Sequence, residues 1–323
     1  MTPAVRVYSV MFHPTETSAT PPSRRTRCAA GLVVLAAMSA GCDLQMDAHA
    51  LVEREEKRFA AGAAPEVALG TFDGSIQVRP WDRPEVLVEI EKRGSDKQAI
   101  DGIQIVSESR GNQISVDVRK PSSEEQFIGI GLHHATSARL IASVPRGSRL
   151  TLTTRDGSIA VERIDGRLEL RTDDGSVRVS EAAGGLTIVT RDGSITLDRV
   201  GGRIDARSGD GSINVSGTPS ALALETRDGS VVVRAERDTV MTEDWSIRTG
   251  DGTVVVEVPE GFGAELDAET QDGSVRSELA IAGSESDART DRAARRRLRG
   301  KIGAGGKVLK LRTDDGSIRL RSS

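Results

Sequence analysis

The stretch from Leu150 to Val179 reads LTLTTRDGSIAVERIDGRLELRTDDGSVRV, and it contains one structural unit followed by the start of the next. Asp156-Gly157-Ser158-Ile159 returns as Asp174-Gly175-Ser176-Val177, 18 residues on. Apolar residues alternate on both sides of each turn, Leu150 and Leu152 before it and Ile159 and Val161 after it, then Leu168 and Leu170, then Val177 and Val179. Alternation is the period of a half-buried strand. Each unit therefore holds two short strands around an Asp-Gly-Ser corner.

Outward from this stretch, Asp-Gly-Ser or Asp-Gly-Thr followed by Val or Ile occurs nine times, at Asp73, Asp156, Asp174, Asp192, Asp210, Asp228, Asp251, Asp272 and Asp315. The five anchors from Asp156 to Asp228 keep the 18-residue spacing, so one unit recurs and stacks on itself. Two positions before every anchor Asp stands a Thr or, at 208, a Ser. Strand parity places these hydroxyls on the apolar side, beside the bend. Like positions stacked about 4.8 Å apart would pair strands of successive rungs in parallel and bury one apolar column. The expected fold is an all-β, single-stranded parallel β-solenoid with 18-residue rungs and a [ST]-x-D-G-[ST]-[VI] corner.

In such a corner Asp and Ser would bond nearby amides, and Gly would supply a positive backbone angle. The anchors are thus expected to be structural. The residues just before them, Arg155, Asp173, Arg191, Gly209 and Arg227, never repeat a charge between neighbours, which favours the stacking register. A third apolar position, at Ile164, Ala182 and Val200, precedes the glycines where the chain turns into the next rung.

Composition agrees with a narrow, ring-poor interior: 37% of the 323 residues are hydrophobic and 2% aromatic. Near the N-terminus, Arg24, Arg25 and Arg27 precede an apolar run from Ala29 to Ala40, too short to span a bilayer and ordered like a secretory signal. The lead before Arg24 is long for a signal and points to a start at Met11, with Met1 the other option. The run ends in Met38-Ser39-Ala40-Gly41-Cys42, which resembles a bacterial lipobox with Ser39 in the place of the usual Leu. That resemblance implies acylation of Cys42 and a membrane anchor. The only other cysteine, Cys28, lies inside the signal, so the mature chain forms no internal disulfide.

The expected organisation is a lipoprotein-type signal at 1–41, a tether and N-terminal cap at 42–65, and the β-solenoid at 66–323, with regular rungs at 148–235. In the tether, Leu51, Val52, Glu55 and Phe59 fall near one face of a short helix. Strands are expected at 66–69, 75–78, 86–90, 103–106, 114–118 and 140–144, as irregular rungs with longer loops. An Arg-rich insertion at 284–301 carries six arginines from Arg289 to Arg299, and helical spacing would align several of them on one side. That insertion reads as a solvated lid helix packed by Ala293, Ala294 and Leu298, or as a contact for anionic lipid.

Chemistry leaves few traces. The whole chain carries a net charge of −4, and removing residues 1–41 takes away four Arg and one Glu to leave about −7, so general nucleic-acid affinity is not implied. Adjacent His133 and His134 point to opposite sides of an extended chain and do not share a metal. A calcium ladder would need the Gly-Gly-x-Gly-x-Asp nonapeptide, and a P-loop would need Gly and Ser or Thr where Lys301 and Val308 stand beside Gly303-Ala304-Gly305-Gly306-Lys307. Serine catalysis lacks a partner histidine in the regular array. No cofactor, metal or catalytic residue is expected.

Three stretches together carry a family resemblance: Thr71 to Pro84 with its Asp-Gly-Ser-Ile and Trp81-Asp82, Val144-Pro145-Arg146-Gly147-Ser148, and Leu311-Arg312-Thr313-Asp314-Asp315-Gly316-Ser317-Ile318. Over residues 66 to 320 the chain resembles the bacterial DUF4097 adhesin-like family. The resemblance implies a β-solenoid, often at the cell envelope, and brings no catalytic residues. The expectation is a non-catalytic envelope lipoprotein whose face binds a glycan or an envelope protein. A self-assembling structural β-helix is the alternative, and a polysaccharide-active enzyme a third reading.

Overall fold

A computed structural model describes residues 51–120, 136–286 and 296–323. The signal, Cys42, the histidine pair and residues 287–295 of the Arg-rich insertion lie outside the described residues. The first part of the chain forms β1 (Leu51–Ala60), β2 (Glu66–Thr71), β3 (Ile76–Pro80), β4 (Glu85–Gly94), helix α1 (Lys97–Asp101), β5 (Gln104–Arg110), β6 (Gln113–Arg119) and β7 (Ser137–Val144). The repeat continues with β8 (Arg149–Thr154), β9 (Ile159–Glu162), β10 (Leu168–Arg171), β11 (Val177–Ser180), β12 (Leu186–Val189), β13 (Ile195–Arg207), β14 (Ile213–Glu225) and β15 (Val231–Ala235). Then follow β16 (Trp245–Thr249), β17 (Val254–Val258), β18 (Ala264–Thr270), β19 (Val275–Ser277), β20 (Ile281–Ser286), β21 (Arg297–Ile302), β22 (Val308–Thr313) and β23 (Ile318–Ser322).

Through the regular array, position i pairs in parallel with i+18. Leu150 aligns with Leu168, Leu168 with Leu186 and Leu186 with Ile204, and beyond the corner Ile159 aligns with Val177 and Val177 with Ile195. All of these side chains are buried, as are the third apolar residues Ile164, Ala182 and Val200. Burial of each Leu, Ile or Val contributes roughly 1.5–3 kcal/mol. Trp245 takes the core position that Leu222 and Leu309 hold in the adjoining rungs, and its ring lies 5.6 Å from that of Phe262.

Among the described residues pairing is mixed, which corrects the expectation of a purely parallel array. At the N-terminal end β4 runs antiparallel to β1 and β7, and β5 antiparallel to β6. At the other end β21 runs antiparallel to β18 and β20. Stacking also departs from chain order. The β2–β3 rung lies between β8–β9 and the strands β6 and β7, and the C-terminal β22–β23 rung is inserted between β16–β17 and β18–β19.

Two local expectations are corrected as well. Residues 51–60 form a strand rather than helical turns, because ten residues in register with β4 satisfy backbone groups that a short surface helix would leave open. The described flanks of the Arg-rich insertion are strands β20 and β21, with Leu298 buried in the core. On β1 the half-buried side holds Glu53, Glu55, Lys57 and Phe59, with Lys92 of β4 3.8 Å from Glu55. Inward-pointing charge on an end strand closes the stack to further strand addition.

Candidate binding edge and faces

The nine anchor aspartates stand at the turn between the two strands of a rung; Asp73 is half-buried and the others are exposed. The hydroxyl two residues earlier does the bonding. Thr172 Oγ1 donates to the Gly157 carbonyl of the rung before at 3.0 Å and accepts from its own Gly175 amide at 3.2 Å. Thr190, Ser208, Thr249 and Thr313 repeat both contacts, and all of these hydroxyl residues are buried. Among the described residues no anchor carboxylate accepts a backbone amide, so the amide-bonding role falls to the hydroxyl.

The corner glycines also serve a purpose other than the expected one. Only Gly74 of the nine has a positive φ in the left-handed range, at 129°. The others are glycine because successive corners nearly touch: a Cβ on Gly175 would lie 1.9 Å from the Gly157 oxygen, and one on Gly193 1.9 Å from the Gly175 oxygen. The same contact runs from Gly316 to Gly252 and from Gly273 to Gly316, each at 1.8 Å, which records the inserted C-terminal rung. Left-handed backbone appears instead at the opposite corner, at Arg163, Glu181 and Arg199, again 18 residues apart.

Along the anchor edge the charges pair between rungs. Arg191 lies 3.6 Å from Asp173 and 3.7 Å from Asp174, and Arg227 reaches Asp210 at 2.6 Å. The Arg227 hydrogen bond holds the Asp210 carboxyl below its ordinary range. Burial, reinforced by neighbouring Asp156, pushes Asp73 up, with Lys120 opposing. Pairs of this kind are exposed and screened by solvent, so they tune register more than stability.

At the C-terminal end Arg297, Arg299 and Lys301 of β21 face Glu269, Asp267 and Glu265 of β18, the last two pairs at 3.0 and 3.4 Å. Arg297 and Arg299 therefore serve a strand pair, and Arg299 does so instead of lining the exposed helical side expected of it. The glycine-rich segment beside them is the link from β21 to β22, with left-handed Gly303, Gly305 and Gly306.

A concavity of about 420 Å³ lies across β5, β6, β2, β8 and β10. Sequence reading missed it, because it depends on β6 and β2 becoming neighbours. Glu66 is fixed there by Gln113 at 3.0 Å and Arg149 at 2.9 Å, and these bonds lower its pKa. Among the described residues no group of three or more His, Cys, Asp or Glu is arranged to hold a metal, and no helix is long and apolar enough to cross a membrane.

A family model described as Toastrack DUF4097 matches residues 67–321. No curated protein matches the chain. Similar solved structures include a Parabacteroides distasonis protein provisionally described as lipid binding, 13% identical with a TM-score of 0.43, covering 83% of this chain and 96% of that one. A Parabacteroides merdae protein provisionally described as an adhesin is 9% identical with a TM-score of 0.37, over 83% and 95% of the two chains. A Bacteroides fragilis protein, also provisionally described as an adhesin, is 10% identical with a TM-score of 0.31, over 84% and 97%.

Proposed function

The chain belongs to the Toastrack DUF4097 family, and from that premise we propose that it is a non-catalytic, exported binding or scaffolding protein of the cell envelope. Its array is a β-solenoid in this reading, held to the membrane by a lipid on Cys42. The observation that carries the reading is the register: outward side chains of successive rungs lie in straight rows, as Thr151, Glu169 and Thr187 do across β8, β10 and β12. A partner with its own repeat, a glycan or another envelope protein, meets such rows with many weak contacts that sum to useful avidity. The anchor carboxylates Asp174 and Asp210 pair with Arg191 and Arg227 of the neighbouring rungs, a register task that supports a role without catalysis, cofactor or metal. The negative charge of the chain favours no nucleic-acid partner.

Self-assembly end to end is the other reading. The inward-pointing charges of β1 and the antiparallel strands at both ends weigh against it. Two measurements test the proposal. Mass spectrometry of the protein from its native membrane fraction is expected to find a diacylglyceryl mass on Cys42, lost together with membrane retention in Cys42→Ala. Purified protein is expected to co-sediment with isolated envelope polysaccharide; an unmodified Cys42 in a cytosolic chain, or no binding to any envelope fraction, would overturn the assignment.

A further inference from the structure

We propose that the concavity across β5, β6, β2, β8 and β10 is a binding site for a neutral, polyhydroxylated chain, a linear oligosaccharide lying across the strands. The inference rests on the binding role proposed above and gives it a place and a ligand class.

Two rows of side chains build the site, and the strand register fixes both. Arg110, Gln113, Glu66, Arg149 and Arg167 form one row, since Arg110 aligns with Gln113, Gln113 with Glu66 and Glu66 with Arg149, while Arg167 and Arg149 each directly precede the aligned Leu168 and Leu150. Glu108, Ser115, Ala68, Thr151 and Glu169 form the second row on the same five strands. Four strand steps of about 4.8 Å make the groove roughly 19 Å long. That length suits an extended oligomer better than a single compact ligand.

The middle of the second row is small, with Ser115, Ala68 and Thr151, so a ligand can approach the sheet closely there. Both ends are closed by ion pairs, Arg110 with Glu108 at 3.2 Å and Arg167 with Glu169 at 3.2 Å. Between them Arg149 pairs with Glu66 at 2.9 Å. Three guanidinium groups thus meet three carboxylates, and the groove carries no excess charge to attract a polyanion or a polycation. Each pair still offers donors and acceptors side by side. Adjacent sugar hydroxyls both donate and accept, so they match this pattern. An extended peptide is disfavoured because the amides and carbonyls of β6, β2 and β8 are engaged in the ladder on both sides, leaving no edge for strand addition on the floor.

The test uses the full chain and saturation-transfer NMR with cellotetraose and maltotetraose as neutral probes, tetragalacturonate as the anionic probe and a chitosan tetramer as the cationic one. A neutral tetrasaccharide is expected to bind, and Ala68→Trp, which fills the half-buried floor without touching the core, is expected to weaken it by about ten-fold or more. Ser246→Trp, on β16 of the same face, is expected to leave it unchanged. Glu66→Gln, which removes the carboxylate while keeping the shape, gives a second variant should Ala68→Trp fold poorly, and is expected to weaken binding too. Tighter binding of either charged probe or of an extended peptide, binding indifferent to the groove variants, or no binding of either neutral probe overturns the site. Envelope co-sedimentation that survives Ala68→Trp together with one of those results sinks the groove alone; wild type failing to bind any envelope fraction sinks the wider role.

Discussion

At the corner a single methyl group decides whether two rungs can meet. Gly193→Ala would put a Cβ 1.9 Å from the Gly175 carbonyl, a backbone atom that cannot swing aside, so the rungs must separate. Overpacking of this kind costs roughly 1–3 kcal/mol, and the rigid neighbour argues for the upper end. Gly185→Ala is the comparator: its Cβ meets nothing nearer than 4.0 Å, and the substitution is expected to be neutral or to stabilise by about 0.4–1 kcal/mol through the unfolded chain. Urea denaturation of both variants checks the contrast, and equal losses would show that close stacking is not what selects glycine. The recurrence of Thr or Ser before every anchor was legible because nine copies made it visible. The reason for the glycine was not, since a sequence that demands Gly does not say whether an angle or a near neighbour demands it. The strained backbone at Arg163, Glu181 and Arg199 left no trace at all, because Arg and Glu are not residues that favour the left-handed region.

Among the elements, β18 shows what the C-terminal insertion accomplishes. It is flanked by β22 on one side and β21 on the other, and Asp267 on it receives Arg312 at 2.6 Å and Arg299 at 3.0 Å. Burial alone would raise the Asp267 pKa, but the two arginines outweigh it and hold the group below its ordinary 3.8. A carboxyl depressed in the folded state stabilises it above the unfolded pKa, and that contribution disappears as pH falls through the folded value. Thermal melts are therefore expected to lose part of their stability as pH drops below about 3.8, with Asp267→Asn less stable at neutral pH and flatter across that acid window. A wild-type and variant pair with parallel pH curves would deny the pairing its role. The strands themselves were legible from alternation, as β2 to β7 and the regular rungs attest. Their stacking order was not: every rung carries the same corner, so the motif at Asp315 fits beside β17 as well as at the end of the array. Only the alignment of Val254 with Ile318, and of Ile318 with Val275, settles that it lies inside.

For the whole molecule, the fixed period makes length adjustable. Deleting residues 176–193 would join Gly175 directly to Ser194, carrying the chain from one Asp-Gly-Ser corner into the strand that follows an equivalent one. Leu168 would then face Ile204, and every apolar residue of the shortened array would keep its side. Deleting 176–192 instead leaves one residue too many, and a one-residue slip reverses inside and outside along a strand. The 18-residue deletion is expected to preserve the β circular-dichroism signal and a cooperative melt at reduced stability, because nearest-neighbour interfaces are lost one at a time. The 17-residue deletion is expected to lose cooperativity. The proposed function adds a second readout. Avidity for a repeating envelope polymer should fall with the shorter face, while binding of a short neutral oligosaccharide should be retained, since β5, β6, β2, β8 and β10 all lie outside the deleted segment. A shortened protein that bound the polymer as tightly as the parent would place recognition in the groove alone and leave the rows a purely structural role.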